Sequence, residues 1–359
     1  MIEISKDAVL VYEDQVLKYE LPHLWIRDNC SCDACRVKET QEKQFILSSV
    51  ELNIAPTNVT EDQNTLIVDW PDKHQSIIEL NSLKKKDAER YPQWKSWDKD
   101  FLPSYFDWEL FLDDDSEAIN AFNALLESGV FILANAPQEP ESLEDLAPRM
   151  GPLHETLFER IHNVSVDGHV YNIAHTSKAV PPHNDFASYS AQPSVQALHM
   201  LQNDCKGGHS VVVDGWTLLE DLKQDHPDFF DILVKFPVPF REFDEDNETY
   251  SNEPIISLTS SGAIKSFRFS NQLMQTINPN TENLKDFYIA YHELCNRVNS
   301  DKYKATFRLE SGQALIVASH RVLHARESFV PSGKRHLQDA YFVLDNAANN
   351  LVLLKQKNH

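Results

Sequence analysis

Through the first hundred residues, apolar and polar positions alternate in short runs broken by turn-forming residues. The segment VLVYEDQVLKYEL predicts a hairpin about Glu13-Asp14-Gln15, and TLIVDWPDKHQSIIEL a second about Pro71-Asp72-Lys73. From Leu83 to Asp100 charged residues are interspersed with aromatics in no regular period, which predicts an irregular surface stretch. The pattern changes near Asp113. Ser116 is placed to cap a helix with Ile119, Phe122, Leu125 and Leu126 on one face and Gly129 as its stop, and GVFILANA then reads as a buried strand. Helical spacing returns in NLKDFYIAYHELCNRV, whereas HSVVVDGW, AIKSFRFS, KATFRL, QALIVAS and HLQDAYFVL read as strands. Many non-repeating strands flanked by a few helices predict a mainly β fold with a sandwich or jelly-roll core. The expected division is a small β-rich domain over 1–95, a linker over 96–115 and the main domain over 116–359.

Composition narrows the chemistry. A formal net charge of −22 argues against a nucleic-acid partner, which calls for clustered Lys and Arg. No apolar run reaches the roughly 18–20 residues of a membrane span. The acidic start, MIEISKDAVLVYEDQ, is unlike a basic leader, so the expected location is cytoplasmic. Nine glycines leave little room for a nucleotide loop.

Cysteines supply the first candidate site. Three of the five crowd into DNCSCDACR, a spacing suited to one metal ion rather than to disulfides. Cys30, Cys32 and Cys35 favour zinc, and His74, at the tip of the second hairpin, is the best candidate for a fourth ligand. Four protein ligands would leave no open position, so this site would be structural. The plain alternative is three buried, metal-free cysteines.

The second candidate is an iron centre. Two histidines and one carboxylate can hold one face of a ferrous ion and leave the other face open. VPPHNDF offers His183 and Asp185, and an H-x-D pair on an extended segment projects both side chains to one side. With 15 histidines, about one H-x-D is expected by chance. His226-Pro227-Asp228 is such a match, in a helical entry, and reads as structural. A downstream partner distinguishes the first pair. His324 ends the apolar strand QALIVASHRVLH, and after a turn at Pro331-Ser332-Gly333-Lys334 comes Arg335, able to grip a distal carboxylate of 2-oxoglutarate in a bidentate pair. Arg326 either shares that anion or fixes the loop.

These residues together resemble the γ-butyrobetaine and trimethyllysine dioxygenase family along nearly the whole chain. WIRDNCSCDAC and WPDKH look like its zinc domain; PPHNDF, VQALHML, GGHSVVVDGW and SHRVLHARESF look like its double-stranded β-helix oxygenase domain. The resemblance implies Fe(II), 2-oxoglutarate as co-substrate, structural zinc and a homodimer. It also implies that Asn172 lies near 2-oxoglutarate and Asn271 near the substrate carboxylate. Aligned by their flanks, Phe158, His162, His175 and Tyr341 take the positions where the family's aromatic rings cage a trimethylammonium group. Two of those rings are imidazoles here. The activity implied is O2-dependent hydroxylation of an unactivated C–H in a small cationic molecule derived from an amino acid, resembling γ-butyrobetaine. An aminophosphonate or modified amino acid is the alternative substrate, and a catalytically silent zinc-knot binding module the non-enzyme alternative.

Overall fold

The computed structural model describes residues 1–83, 91–165 and 173–358. The chain divides into two compact units, Met1–Glu89 and Arg90–His359.

The first unit is two antiparallel three-stranded meanders. Ile2–Ile4, Ala8–Glu13 and Val16–Pro22 form one; Asn58–Asp62, Thr65–Asp69 and Gln75–Glu79 form the other. Asp14 and Gln15 both take positive φ (50° and 67°), as the expected tight hairpin requires. Alternation buries Val9, Val11, Leu66, Val68 and Ile78 in one core with Ile26 of the short helix His23–Asp28.

The second unit carries two large sheets. The larger runs Ser104–Asp107, Val130–Ala134, Gln313–Val317, Val195–Asn203, Arg335–Phe342, His162–Ser165; the smaller runs Val180–His183, Val322–Arg326, Ser210–Asp214, Lys304–Phe307. Every pairing within these sheets is antiparallel except the first, between Ser104–Asp107 and Val130–Ala134. Val130, Ile132, Met200, Leu315, Val317 and Leu337 of the larger sheet pack against Val212, Ala305, Phe307 and Val322 of the smaller, so the two inner faces share one core. This is the jelly-roll arrangement expected of the main domain. The outer face of the larger sheet is covered by Asp115–Ser128 and Leu344–Lys357, through Phe122, Leu125, Phe131, Phe342 and Leu351. A second apolar cluster gathers Gly215–Asp225, Pro227–Lys235 and Leu284–Asn299 beside the smaller sheet.

Three local readings change. The cap of the Asp115–Ser128 helix is Asp114, whose carboxylate accepts from the Glu117 N–H at 2.9 Å, and not Ser116, which lies inside the first turn. The 96–115 stretch is no linker. Trp97 donates from its indole to Ser128 O (2.8 Å), Ser104–Asp107 is a strand of the larger sheet, and Trp108 and Phe111 are buried in its core. Its apolar residues follow no single period, yet Trp97, Trp108 and Phe111 each find a buried place, while Leu102 and Leu110 stay exposed. Finally, QALIVASHRVLH is two strands in different sheets, because the chain turns at Ala318–Arg321, where the Arg321 and Val322 N–H groups both donate to Ala318 O.

Candidate active site

His183 ends its strand directly opposite His324, the two residues being register partners in the smaller sheet. Asp185 follows two residues on. His183 Nε2 lies 3.1 Å from Asp185 Oδ1, His324 Nε2 lies 3.9 Å from Asp185 Oδ2, and the imidazole centroids are 4.3 Å apart. One donor atom from each falls within 4.8 Å of the others. The His183 Nδ1–H donates to Pro181 O at 2.9 Å, which fixes the tautomer and leaves Nε2 with a free lone pair. Burial works against a charged His183, but the Asp185 carboxylate outweighs it and the net shift is upward. Burial, then the His183 charge, lowers His324 to about 4, keeping it neutral as a ligand should be. For Asp185 burial opposes ionisation, yet the two imidazoles hold the acid well below the usual carboxylate range. Two neutral-capable imidazoles and one carboxylate, joined by no fourth His, Cys, Asp or Glu among the described residues, fit a ferrous ion.

Asp185 is held from behind. Its Oδ2 accepts from Gln196 Nε2 (2.6 Å) and Tyr341 OH (2.7 Å). The turn after it is unusual: Phe186 has φ +53°, a region that bulky side chains rarely adopt. Buried Arg268 secures this turn by donating to Ala187 O, Tyr189 O (2.5 Å) and Ser190 O (3.0 Å). Asn184 points the other way and bonds Phe267 O and Ser319 O.

Phe186 centres a group of rings. Its centroid lies 6.1 Å from Phe158, 5.9 Å from His162, 5.1 Å from Tyr189 and 5.0 Å from Tyr341. Three of these were expected from the sequence; Phe186 and Tyr189 were missed, although both stand in HNDFASY immediately beside the ligand pair. His162 Nε2 is 3.2 Å from Thr156 Oγ1. His175 is buried, with Nε2 3.2 Å from Asn163 O. Asn271 is exposed, and its Oδ1 accepts from Tyr291 OH at 3.2 Å. Asn172 lies outside the described residues.

The two arginines separate cleanly. Arg326 donates to Ala174 O (2.9 Å), Thr176 O (2.5 Å) and Lys178 O (2.7 Å), so its guanidinium is committed to the 174–178 loop. Of the two roles left open for it, loop fixation is the one these bonds describe. Arg335 is buried on the larger sheet, its Nε has no partner, and it forms no ion pair among the described residues. Burial, then the Arg326 charge, lowers it to about 10, still a cation at neutral pH. Both guanidinium groups lie over the Phe329 ring, at 4.9 and 5.5 Å. A buried, uncompensated guanidinium is a fitting seat for a carboxylate.

Two acids, buried Asp339 and half-buried Glu242, escaped the sequence reading. Asp339 shares a strand with Arg335 and Tyr341, and its Oδ2 is 2.6 Å from Tyr341 OH and 3.0 Å from Gln196 Nε2. Burial raises its pKa, and the Asp185 charge adds to that. Glu242, from the hairpin of Pro237–Phe243 with Glu248–Pro254, is pushed up to about 7 by burial and then by Asp185, and its Oε2 has no partner among the described residues. The i, i+2, i+4, i+6 spacing of Arg335, Leu337, Asp339 and Tyr341 was the available signal for the first; nothing in the sequence marked the second.

In the first unit, Cys30, Cys32, Cys35 and His74 also converge within 4.8 Å. His74 Nε2 lies 3.4, 3.9 and 3.5 Å from the three sulfurs in that order, and none is in a disulfide. Burial, then the neighbouring Cys30, pushes Cys35 up to about 12. Thiols packed this closely ionise together only with a cation among them, and a set of three thiolates and one imidazole is one that zinc accepts.

Residues 90–341 match the family described as taurine catabolism dioxygenase TauD, TfdA family, and residues 5–80 match the γ-butyrobetaine hydroxylase-like N-terminal domain. The chain is 31% identical to the γ-butyrobetaine dioxygenase of Pseudomonas sp. (strain AK-1), over 93% of this chain and 90% of that one. It is 27% identical to the Homo sapiens γ-butyrobetaine dioxygenase (97% and 94% covered) and 26% identical to the Homo sapiens mitochondrial trimethyllysine dioxygenase (96% and 85% covered). Among solved structures, a Burkholderia xenovorans protein described as a putative α-ketoglutarate-dependent taurine dioxygenase shares the fold, with a TM-score of 0.50 and 12% identity over 64% of this chain and 83% of that one. The chain therefore belongs to the TauD/TfdA family, as an iron(II)- and 2-oxoglutarate-dependent dioxygenase with a γ-butyrobetaine hydroxylase-like N-terminal domain.

Proposed function

We propose that the protein hydroxylates an unactivated C–H bond in a small, cationic, amino-acid-derived molecule resembling γ-butyrobetaine. His183, Asp185 and His324 would hold the iron, Arg335 the far carboxylate of 2-oxoglutarate, and Cys30, Cys32, Cys35 and His74 a structural zinc. Bound iron with 2-oxoglutarate and O2 supplies the oxidising power, releasing succinate and carbon dioxide. The chain's own residues do the rest. Pro181 O orients His183, Gln196 and Tyr341 orient Asp185, and Phe158, Phe186, Tyr189 and Tyr341 gather their rings beside the ligands. Rings of this kind attract a cation to their faces and exclude water.

The observation that carries this reading is the register pairing of His183 with His324 and the convergence of Asp185 on both. Likeness to γ-butyrobetaine dioxygenases supports the substrate class. His162 favours a second substrate: an imidazole can hydrogen-bond a polar head such as that of an aminophosphonate or modified amino acid, which a carbocyclic ring cannot. The test is succinate formation by the iron-loaded protein with 2-oxoglutarate and a panel of betaines, amino acids and aminophosphonates. Substrate-stimulated succinate with γ-butyrobetaine supports the first substrate; stimulation by a panel member of the other kind supports the second. Absence of iron binding by the purified protein sinks both.

A further inference from the structure

Alternate residues of Arg335–Phe342 face opposite ways. Ala340 and Phe342 lie in the cluster beneath the covering helices, whereas Leu337 lies in the core between the sheets. Arg335, Asp339 and Tyr341 share the face of Leu337. At about 6.6 Å per two residues, this strand sets Asp339 roughly 13 Å from Arg335 and one step from Tyr341. Asp339 therefore lies on the inner face of the larger sheet, on the side of the rings and away from the arginine.

Asp339 is 5% exposed and has no Lys or Arg ion pair among the described residues. Only its Oδ2 has hydrogen-bond partners there: Gln196 Nε2 donates to it, and Tyr341 OH, whose single proton Asp185 Oδ2 also claims, lies 2.6 Å away. Two like charges lie nearby, Asp185, which an iron ion would neutralise, and Glu242, whose Oε2 is itself buried without a partner among the described residues; the His162 imidazole acts in the opposite direction. Directly across the strands from Asp339 stands His162, an imidazole. A buried carboxylate with no fixed cation is costly, and a ligand cation that reaches it removes that cost. Ligands differ in how well they can do so. An ammonium or guanidinium brings N–H to within about 2.8 Å of a carboxylate oxygen. A trimethylammonium cannot donate, and its methyl shell holds the charge farther off.

We infer that Asp339 is a specificity-determining residue that makes this pocket select a substrate cation bearing N–H over its fully methylated counterpart. The inference rests on the reading of a small cationic substrate and narrows it.

The experiment uses matched pairs: 4-aminobutyrate with γ-butyrobetaine, lysine with Nε-trimethyllysine, and 2-aminoethylphosphonate with its trimethyl derivative. Substrate-stimulated succinate formation and anaerobic calorimetric binding to the iron- and 2-oxoglutarate-loaded protein are both read. In the pair that binds, the N–H member should be favoured at least about tenfold, the worth of about 1.4 kcal/mol. Asp339→Asn should reduce that ratio below about threefold. Preference for the trimethyl member in the native protein overturns the inference while leaving the cationic-substrate reading intact, and needs no variant to fold. A ratio unchanged in Asp339→Asn also overturns it, leaving Asp339 as a support for Tyr341 and His162. If no pair binds, the cationic-substrate reading falls and this inference with it.

Discussion

Arg335 and Arg326 lie over the same phenylalanine, yet one is spent and the other is not. Arg326 closes three bonds to loop carbonyls, while Arg335 has no carboxylate and no carbonyl to satisfy it among the described residues. Their alanine variants should behave oppositely. Arg335→Ala should raise the 2-oxoglutarate concentration needed for half-maximal succinate formation by about 10–100-fold, the worth of a lost charge-assisted pair. Arg326→Ala should leave that requirement within about threefold and instead lower the melting temperature, because the loop loses its staple. A similar logic governs the metal ligands. His324→Ala should abolish iron binding, read by titration with a spectroscopic surrogate such as Co(II), while the circular dichroism of the fold persists. Retained metal binding would remove His324 from the centre.

At the scale of elements, the site depends on junctions that hold strands in register. Gly129 ends the Asp115–Ser128 helix with φ +80°, and a Cβ there would meet Val322 Cγ2 at 2.7 Å, on the strand that carries His324. Gly129→Ala should therefore cost about 1–3 kcal/mol in urea unfolding, combining left-handed strain with overpacking. The hairpin of Pro237–Phe243 with Glu248–Pro254 contributes the other testable strain. Burial raises the Glu242 carboxyl to about 7, so the folded metal-free protein keeps a proton that the unfolded chain, near 4.5, has released. Between those two values stability must fall as pH rises, and above about 7 the full cost remains. Glu242→Gln should flatten that slope, stabilising the metal-free protein at pH 8 by up to about 3 kcal/mol and by nothing near pH 4. Equal melting-temperature gains at both pH values would show that Glu242 ionises normally.

At the scale of the whole molecule, the two units face different stability problems. The Arg90–His359 unit has three extensive apolar clusters. The Met1–Glu89 unit has one small cluster of buried residues and a knot of three cysteines and one histidine. Small cores commonly need a staple, and a bound metal converts its binding energy into folding energy. Cys32→Ser should therefore lower zinc content and the melting temperature of a calorimetric transition assignable to the first unit. The iron-dependent formation of succinate should persist in the protein that remains folded. Loss of iron binding in Cys32→Ser with zinc retained would contradict this division of labour.

Much of this was legible in the sequence because it is local. Alternation gave the hairpins at Asp14-Gln15 and Pro71–Lys73, helical spacing gave Leu284–Asn299, and short motifs pointed to both clusters that could hold a metal, since a metal demands donor atoms of restricted kinds. The tertiary structure decided what depends on register and on which face meets which. It moved the helix cap from Ser116 to Asp114, drew the 96–115 stretch into the core, and divided QALIVASHRVLH between two sheets. It also separated an Arg326 committed to its loop from an Arg335 with no ion pair among the described residues, and brought Phe186, Tyr189, Asp339 and Glu242 into the surroundings of Asp185. A side chain's chemistry is written in its own letter, but its partners are set by strands that pair across a hundred residues or more.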